Sequence, residues 1–425
     1  MVNIKTLVEL FDNCQLENII ASLKFKPDRI VYIGFEKVMT LNKMNAVSDF
    51  FKGKLENCQI EFEVVKKNDI DLIVEKLEQI YNKYENCMFD MTGGKETLLT
   101  ALGIFMADKK VPVFQFDVEE EKFINIKNCE NFCLSDDFKI TIPKALELNG
   151  CSLLTSEEGD YKWHFSDEFI KDIEKMWDIS SDDPGAWNAQ SNGFERIEKL
   201  RKPQKGLSVY LNLNNIKKKV YINMDVVTPL VDNGLITDFI HNDKILSFNY
   251  KNEQVKQTLI KAGNILELYG YILIDEIKKE NQEDFDDVDL SVYIDWDGII
   301  HPEYSKVKDT KNEVDIMVIN KLIPVFISCK NGEVKKEALY ELDTVASRFG
   351  GKYAKKILFA TYISHDFTSY DYIINRATDM NIKVIQNMHK KSKAKIKSEI
   401  IKILHYPSEY SVGDTPYSFL KEVEK

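Results

Sequence analysis

The stretch DMTGGKETLLTAL, residues 90–102, decides how the first part of the chain folds. An apolar run precedes it and a helical apolar pattern follows, which predicts a strand, a tight turn and a helix. Gly93 and Gly94 let a ligand approach the backbone, and the start of the helix offers unpaired N–H groups and a positive dipole end beside Lys95. This arrangement favours binding of an anion such as phosphate. The alternative is an ordinary strand-to-helix turn with Thr92 as the N-cap.

The turn matches neither of the two common phosphate-binding motifs. A Walker A loop needs a glycine five residues before the Gly-Lys pair and Ser or Thr after it, and Phe89 and Glu96 stand in those places. The dinucleotide fingerprint is absent because the two glycines are adjacent. Any phosphate site here therefore rests on the glycines, the helix end and the lysine.

Residues 1–150 alternate between short apolar runs and helical patterns. Such alternation predicts a Rossmann-like domain with a mostly parallel sheet covered on both faces, and the runs PVFQFDV and KFINIK are close enough to form a final hairpin. Ligands of such sheets bind beyond the carboxyl ends of the strands. The turn at residues 92–95 lies at such an end, as do residues 12–14 after the first strand and residues 34–36 after the second.

Residues 151–255 form a middle region with a different pattern. A helical stretch, DEFIKDIEKMW, is followed by a polar stretch that Pro184 and Gly185 are expected to break, and then by a short helix and a hairpin turning at Asn242 and Asp243. A helix followed by a two-stranded wing is the outline of a winged helix. The short helix carries no Lys or Arg, which favours a structural connector over a DNA reader.

Residues 256–425 form a second α/β unit. The helix AGNILELYGYILIDEI precedes the strands DLSVYIDW, EVDIMVI and PVFISCK, and a long helix, the strand KKILFAT, another helix and the strand KVIQ follow. The acidic run at 281–289 is expected to be a solvated loop. The lysine-rich run at 389–402 would either track a phosphate backbone or form a solvated helical face.

Composition narrows the class of protein. The chain has 425 residues, which predicts two or three domains, and its net charge of −12 and pI near 5.2 argue against a passive nucleic-acid coat. An enzyme whose acidic site holds divalent cations against phosphate is compatible with this charge. Seven cysteines without metal-site spacing, and no signal peptide or membrane span, indicate a protein of the reducing cytoplasm without membrane contact.

The runs EVDIMVI and PVFISCK carry the candidate chemistry. They should form an antiparallel hairpin turning near residues 322–323, which sets Asp315 opposite Lys330 and near Ser328, with Glu313 on the same face as Asp315. A carboxylate holding Mg²⁺ or Mn²⁺ and a lysine orienting water suit metal-assisted phosphodiester hydrolysis, and Glu267 on the preceding helix would supply a second carboxylate. The alternative is a cross-strand ion pair with a purely structural role.

The order of Glu267, Asp315 and Lys330 resembles the PD-(D/E)XK nuclease core. NEVDIMV with FISCKNG is similar to the nucleases attached to CARF domains, the CRISPR-associated Rossmann folds of type III CRISPR defence. The first 150 residues agree with this, because MTGGKETL resembles the CARF ligand loop and FDNCQLENII with KPDRIVYIGF resembles the opening elements of the CARF fold. The resemblance implies a CARF domain at 1–150, a winged-helix-like connector at 151–255 and a PD-(D/E)XK nuclease domain at 256–425.

The resemblance also implies a catalytic set, with one departure from the family pattern. The usual E-x-K reads Ser328-Cys329-Lys330 here, so one metal carboxylate is missing from its standard place. Glu267, Glu313 or Glu341 would compensate, with the Cys329 carbonyl as a further oxygen ligand and its thiol a packing group. The implied catalytic residues are Lys330, Asp315, Glu267, Glu313 and Ser328, and the implied ligands of Mg²⁺ or Mn²⁺ are Asp315, Glu267 and Cys329.

CARF domains bind cyclic oligoadenylate, a ring second messenger, so the resemblance implies such an activator, with cyclic tetra-adenylate first and the hexa-adenylate second. A symmetric ring fits the twofold axis of a homodimer. The substrate would be single-stranded RNA, single-stranded DNA or supercoiled duplex. One rival is a ligand-responsive transcription regulator with an inactive nuclease-like domain, and another possibility is a ring-degrading phosphodiesterase at Thr92 and Lys95. The implied ring-binding residues are Thr92, Gly93, Gly94, Lys95 and Glu96, with Asp12, Asn13 and Gly34 for base and ribose.

Overall fold

The computed structural model describes residues 4–129, 132–133, 138–154, 161–201, 206–216, 220–282, 284–299, 301 and 311–405. No helix in this part of the chain is long and apolar enough to cross a membrane. The helices are α1 (Asn18–Phe25), α2 (Leu41–Phe51), α3 (Ile70–Lys83), α4 (Glu96–Met106), α5 (Ile142–Leu148), α6 (Asp167–Asp182), α7 (Pro184–Leu200), α8 (Met224–Asp232), α9 (Glu253–Ile260), α10 (Asn264–Glu280), α11 (Lys336–Phe349), α12 (Phe367–Asp379) and α13 (Lys393–Leu404). The strands are β1 (Thr6–Leu10), β2 (Arg29–Phe35), β3 (Gln59–Val65), β4 (Cys87–Asp90), β5 (Val113–Asp117), β6 (Lys122–Lys127), β7 (Phe132–Cys133), β8 (Ser152–Leu153), β9 (Ser208–Asn212), β10 (Ile236–His241), β11 (Ile245–Tyr250), β12 (Phe285–Asp295), β13 (Lys311–Asn320), β14 (Ile323–Lys330), β15 (Lys355–Ala360) and β16 (Ile382–Ile385).

The first sheet has the strand order β3-β2-β1-β4-β5-β6-β7. Strands β1 to β5 run parallel, while β5 and β6 form an antiparallel hairpin. Helices bury both faces of the sheet, with Phe11 and Phe114 in one core and Val8 and Phe89 in the other. Because both faces of the sheet are buried, the sequences of these strands are continuous apolar runs. The predicted Rossmann-like sheet with a final hairpin is confirmed.

The middle of the chain packs α6, α7 and α8 against a small antiparallel sheet in the order β10-β11-β9. The predicted short helix and hairpin are present as α8 and β10–β11. The chain leaves the helical conformation at Asp183, between α6 and α7, but the expectation that Pro184 and Gly185 break the polar stretch is wrong, because residues 184–200 form one helix. Pro184 occupies the first helical position, where no N–H is needed, and the Asp183 side chain caps the helix by accepting from Ala186 N at 2.9 Å.

The last sheet has the order β16-β15-β14-β13-β12-β8, antiparallel from β8 to β14 and parallel from β14 to β16. Strand β8, which the sequence analysis assigned to the middle region, pairs with the end of β12. The acidic run was expected to be a solvated loop, but residues 285–289 lie in β12. Asp287 accepts the N–H of Ile142 at 2.8 Å, so this carboxylate caps the first residue of α5.

The first and last sheets share one continuous apolar core, in which Phe11 and Phe349 both lie. Asn149, which is buried, bridges the two sides of the junction. Its Oδ1 accepts the N–H of Gln15 at 3.1 Å and its Nδ2 donates to the carbonyl of Phe349. The candidate ligand loop and the candidate nuclease core therefore belong to one packed body.

Lysines of the run at 389–402 form ion pairs with neighbouring helices. Lys393 pairs with Glu174 at 2.9 Å and Glu276 at 2.6 Å, and Lys397 pairs with Glu280 at 2.6 Å. These ion pairs attach α13 to α6 and α10. The structure therefore favours the helical face over a track for a phosphate backbone.

Candidate functional site

The β13–β14 hairpin turns at Lys321 and Leu322, whose φ angles are +48° and +68°. Two residues at positive φ form the tight connection that matches the twist of a hairpin. Asn320 pairs with Ile323, so the register differs by two positions from the predicted one and Asp315 lies opposite Ser328 instead of Lys330. The prediction was wrong because lysine and leucine rarely adopt positive φ, and their identity gives no sign of a turn here.

Asp315 lies just beyond the last backbone pair of this hairpin, which joins Ile316 to Ile327. Its Oδ2 accepts the N–H of Cys329 at 2.6 Å and the hydroxyl of Ser328 at 3.3 Å. The Lys330 ammonium lies 3.6 Å from the same oxygen. A carboxylate and an ammonium therefore converge at the point where the two strands separate.

Glu267, in the first turn of α10, shares this site. The pKa of its carboxyl is raised to about 7, first by burial and then by the negative charges of Asp315 and Glu313, while Lys261 and Lys330 act in the opposite direction. Electrostatic effects of this kind require short separations. Of the five sequence-predicted catalytic residues, Asp315, Ser328 and Lys330 are in direct contact, and Glu267 and Glu313 line one cleft beside them.

The donor atoms of this site are oxygens, which Mg²⁺ and Mn²⁺ prefer. The described residues contain no group of three acidic, His or Cys side chains already spaced for a metal ion. Magnesium usually takes one or two carboxylates and completes its shell with water and substrate phosphate, so Asp315 and Glu267 suffice as protein ligands. The residues present therefore fit such a cation.

Two other predicted contributors differ in their placement. Cys329 is 4% exposed and burial raises the pKa of its thiol well above the ordinary value, so only its backbone carbonyl remains as a candidate ligand. Glu341 lies on the exposed face of α11, and no hydrogen bond or ion pair within the described residues joins it to Asp315. Glu267 and Glu313 remain as substitutes for the missing E-x-K glutamate.

Asn188 of α7 contributes to this site and was missed by sequence reasoning. Its Nδ2 donates to the backbone carbonyl of Asn331, the residue after Lys330, and its Oδ1 accepts from Asn331 Nδ2 at 3.1 Å. Asn331 Nδ2 also donates to Ala262 O at 3.1 Å. The middle region therefore fixes the backbone beside the candidate catalytic lysine, a contact for which the sequence carries no signal.

The TGGK turn connects β4 to α4 at the carboxyl edge of the first sheet. The Thr92 hydroxyl donates to Asp90 and accepts the N–H of Phe116 at 2.7 Å, and the Thr92 side chain is buried. The N-cap of α4 is Lys95 and not Thr92, since Lys95 has extended backbone angles and Glu96 begins the helix. The Thr92 side chain therefore holds the turn in place and is not turned toward a ligand.

The two glycines of the turn are required by packing within the protein. A Cβ on Gly93 would lie 2.5 Å from Asn18 Oδ1 and 3.0 Å from the carbonyl of Leu10. Gly94 has a φ of +105°, and a Cβ there would lie 2.7 Å from the Leu10 Cβ. The turn is thus pressed against the end of β1, which sets the position of the first N–H groups of α4.

Replacing Gly93 by alanine is expected to destabilise the fold by about 1–3 kcal/mol, because the added methyl overpacks the Asn18 contact. Gly103, within α4, is a matched control, since nothing lies within 4 Å of a Cβ built there. Gly103→Ala should stabilise the helix by about 0.5–1 kcal/mol. Urea unfolding of the two variants measures both changes, and equal stability would contradict the packing role of Gly93.

Lys95 and Glu96, at the end of the turn, are both accessible to solvent. Lys95 is half-buried, and its ammonium has no hydrogen bond or ion pair with other described residues. Glu96 is exposed at the start of α4. A free cation beside the N-terminus of an 11-residue helix is a favourable place for an anion.

Asp12 and Asn13 line a cavity of about 530 Å³ between the first and last sheets, together with Glu17 and Lys352. Gly34 was predicted to contact base or ribose, but the structure places it elsewhere. It is buried, and a Cβ on it would lie 2.7 Å from Phe11 Cβ. Gly34 is therefore a packing residue, because Phe11 needs the space beside it.

Lys352 links the candidate ligand loop to the last domain. It lies between α11 and β15, and its ammonium donates to the backbone carbonyl of Thr92 at 3.1 Å and pairs with Glu17 at 3.4 Å. Burial raises the pKa of Glu17 to about 7, and the charge of Lys352 opposes this shift. Sequence analysis missed Lys352, since nothing local shows which lysine reaches across 260 residues.

A buried pair of carboxyl groups lies beneath the TGGK turn. Glu9 and Asp90 are register partners on β1 and β4, and both are buried. Burial raises the pKa of Asp90 to about 6 and, with the charge of Asp90, raises the pKa of Glu9 well above its usual range. Asp90 Oδ1 accepts the N–H of Thr92 at 2.7 Å, so this pair supports the turn.

This pair gives stability a defined pH dependence. A carboxyl group whose pKa is higher in the folded than in the unfolded state contributes stability that is complete below the unfolded pKa and is lost as the pH rises through the folded pKa. Glu9→Gln should therefore lose less unfolding free energy than the wild type between about pH 5 and about pH 8. Denaturant titrations at both pH values measure this, and parallel losses in both proteins would show that Glu9 ionises normally.

Comparison with known proteins supports the fold. No protein-family model and no curated protein matches the chain. One similar solved structure is protein VC1899 from Vibrio cholerae, which matches 94% of this chain and 98% of its own at 15% identity, with a TM-score of 0.69. Another is Can2 from Sulfobacillus thermosulfidooxidans in complex with cyclic tetra-adenylate, which matches 94% of this chain and 99% of its own at 15% identity, with a TM-score of 0.65. The chain therefore shares the fold of both proteins along nearly its whole length, and the expected mixed α/β class is confirmed.

Proposed function

We propose that the protein is a metal-dependent nuclease that a cyclic oligoadenylate activates and that acts in type III CRISPR defence. The observation that carries this proposal is the contact of Lys330 with Asp315 at the end of one hairpin, with Glu267 of α10 near enough for both charges to act on its carboxyl. This convergence occurs in a chain that shares the fold of Can2, which was solved with cyclic tetra-adenylate. A structural ion pair alone would not need the second and third carboxylates that surround it.

Asp315 and Glu267 would hold Mg²⁺ or Mn²⁺, with Glu313 and the Cys329 carbonyl as further oxygen donors. When bound, the cation would neutralise phosphate charge and lower the pKa of a coordinated water. The hydrogen bonds from Ser328 and from the N–H of Cys329 fix one oxygen of Asp315. Ser328 therefore positions the carboxylate instead of replacing the missing glutamate.

Lys330 supplies the positive charge of the site. Its ammonium, 3.6 Å from Asp315, is placed to orient the attacking water and to stabilise negative charge as it develops on the phosphate. The Asn188–Asn331 contact holds the backbone at the next residue. The nucleic-acid substrate would be bound weakly and in a salt-sensitive way, as the overall charge of −12 requires a local cationic groove.

The activating ring would bind at the TGGK turn. Lys95 and the first N–H groups of α4 would hold a ring phosphate, and Asp12 and Asn13 are the candidates for base or ribose contacts. Two chains related by a twofold axis would present two such turns to a symmetric ring, with cyclic tetra-adenylate before the hexa-adenylate. Activation would be a population shift, in which the ring binds one arrangement of the dimer more tightly.

A cleavage assay tests the proposal. The purified protein is incubated with labelled RNA, single-stranded DNA and supercoiled plasmid, with and without cyclic tetra-adenylate, in Mn²⁺ or EDTA. The proposal expects cleavage that needs both ring and metal. Ring binding without cleavage would favour the second candidate function, a ligand-responsive transcription regulator. The observation that favours this candidate is Ser328 in place of the usual glutamate. Loss of intact ring during incubation would add phosphodiesterase activity at the turn.

Replacing Asn188 by alanine removes its two hydrogen bonds to Asn331 and is expected to slow cleavage about two- to tenfold, because only part of their stabilisation, about 0.5–1.5 kcal/mol for each bond, acts on the neighbouring Lys330. The physical reason is a looser backbone beside Lys330, and ring affinity should stay unchanged. Asn214→Ala, an exposed asparagine of the same region, is the control. Single-turnover cleavage rates measure the effect, and a wild-type rate for Asn188→Ala would remove this contact from the mechanism.

A further inference from the structure

An open cleft of about 590 Å³ adjoins the candidate catalytic site. Glu267 and Glu313 lie in its wall, which makes the cleft continuous with the site described above. Much of the remaining wall is aromatic, an unusual composition beside a cluster of carboxylates. We call it the aromatic cleft, and its rings are Tyr161, Trp163, Phe165, Tyr271 and Tyr293.

The backbone places two of these rings next to the candidate catalytic carboxylates. Tyr271 follows Glu267 by one helical turn on α10, so the two side chains are neighbours on one face of the helix. Tyr293 of β12 is the register partner of Glu313 of β13, and side chains of such partners lie about 5 Å apart at their Cβ atoms. A nucleotide whose phosphate reached the carboxylates would therefore meet aromatic carbon on two sides.

The segment before α6 forms the facing wall. The rings of Tyr161 and Trp163 meet edge to face, with 5.0 Å between their centroids, and Trp163 stacks on the buried Phe169 at 5.8 Å. Phe165 packs on Tyr271 at 4.5 Å. Phe169 thus supports one face of the Trp163 ring, while Tyr161 and Trp163 both remain partly exposed.

The cleft has a basic and an acidic part. Lys162 and Lys261 line it and are placed to donate to backbone phosphates, while Asp289 and the two glutamates form its acidic side, next to the candidate metal ligands. Aromatic rings interleaved with cations are the usual means of binding single strands without sequence preference, because every base has a face that stacks. Clefts of about 300–1,000 Å³ enclose one small ligand, which suits one unpaired nucleotide.

We propose that the aromatic cleft is a base-binding subsite in which one unpaired nucleotide beside the cleaved bond stacks on Tyr161 and Trp163. This rests on the proposed nuclease function and specifies its substrate as a single strand or a locally unpaired segment. A base in an intact duplex is covered on both faces by its neighbours and does not enter the cleft. Unpairing is therefore a condition for productive binding.

The test measures binding separately from cleavage. Full-length Lys330→Ala protein with cyclic tetra-adenylate is titrated with an oligonucleotide that contains 2-aminopurine, whose fluorescence falls when it stacks. Adding Tyr161→Ala should weaken binding about tenfold and reduce the quenching, because only Trp163 remains to stack, and Tyr161→Phe should restore both, since stacking contributes about 1–3 kcal/mol per base. Tyr210→Ala on β9, where the tyrosine is 58% exposed, is the matched control and should change neither.

Tyr161→Leu keeps apolar bulk against Trp163 without an aromatic face, and it replaces Tyr161→Ala if that variant is unstable. Wild-type affinity and quenching in a folded Tyr161→Leu or Tyr161→Ala protein would overturn the subsite, and cleavage by the wild type would then leave the nuclease function standing. Quenching that depends on Tyr161, without cleavage under any metal, would instead keep the subsite and overturn hydrolysis. Tight binding of a matched duplex that depends on Tyr161 would also contradict the proposal.

Discussion

Lys330→Ala is expected to lower the rate of nucleic-acid cleavage by about 10²–10⁴-fold, the usual cost of losing a positioned group that transfers protons or stabilises charge in the transition state. The ammonium is the one cation that the structure shows in contact with Asp315 among the described residues. Its removal leaves the carboxylates in place but takes away the ammonium that would face the developing charge on phosphate. The variant should still bind the ring, because Lys330 lies in a different part of the molecule from the TGGK turn.

Lys336→Ala is the control for this experiment, since Lys336 is exposed at the start of α11, a few residues further along the chain. Cleavage under single-turnover conditions with saturating ring gives the rate, and titration with labelled ring gives the affinity. Asp315→Ala should behave like Lys330→Ala. Normal cleavage by either variant would show that the catalytic centre lies elsewhere.

Lys95→Ala is expected to remove activation by the ring while leaving the nuclease core intact. A hydrogen bond to a charged partner contributes about 1.5–3 kcal/mol, so ring affinity should fall by about 10- to 100-fold for each lysine that contacts phosphate. Two chains sharing one ring would lose two such contacts. Melting temperature should not fall, because Lys95 is bonded to no other described side chain.

Lys110→Ala tests whether general charge explains any loss, since Lys110 is exposed beyond the opposite end of α4. Isothermal titration with cyclic tetra-adenylate measures affinity, and the same preparations are assayed for ring-dependent cleavage. Full activation of Lys95→Ala at wild-type ring concentrations would exclude Lys95 from the binding site. Equal loss in Lys110→Ala would point to long-range electrostatics instead of a contact.

The sequence predicted those parts of the fold in which local pattern and tertiary environment agree. Apolar runs alternating with amphipathic stretches gave the parallel sheet around β1, and the spacing around Asn242 gave the hairpin of the middle region. Local pattern gave a wrong prediction where the effect of a residue depends on its position within a helix. Pro184 was interpreted as a helix breaker, but it is compatible with the first turn of α7 because its missing N–H has no helical acceptor there.

The sequence predicted which residues form the candidate site more fully than it predicted their arrangement. Glu267, Asp315 and Lys330 converge although the predicted register was two positions out, because the error moved Asp315 along the strand without changing its face. Asn188 and Lys352 were beyond prediction, since each acts on a residue more than 140 positions away. Contacts of this kind leave no periodicity for a single sequence to show.

The junction at Asn149 and Lys352 bears on how such proteins can be recombined. Lys352 belongs to the last domain but is bonded to the turn of the first, and Asn149 joins the backbones of both. Exchanging the first domain with that of a related protein would therefore break buried polar contacts on both sides unless Glu17, Asn149 and Lys352 were transferred together. The first and last domains are therefore not interchangeable modules, because any cut in the middle region leaves Asn149 and Lys352 in segments from different parent proteins.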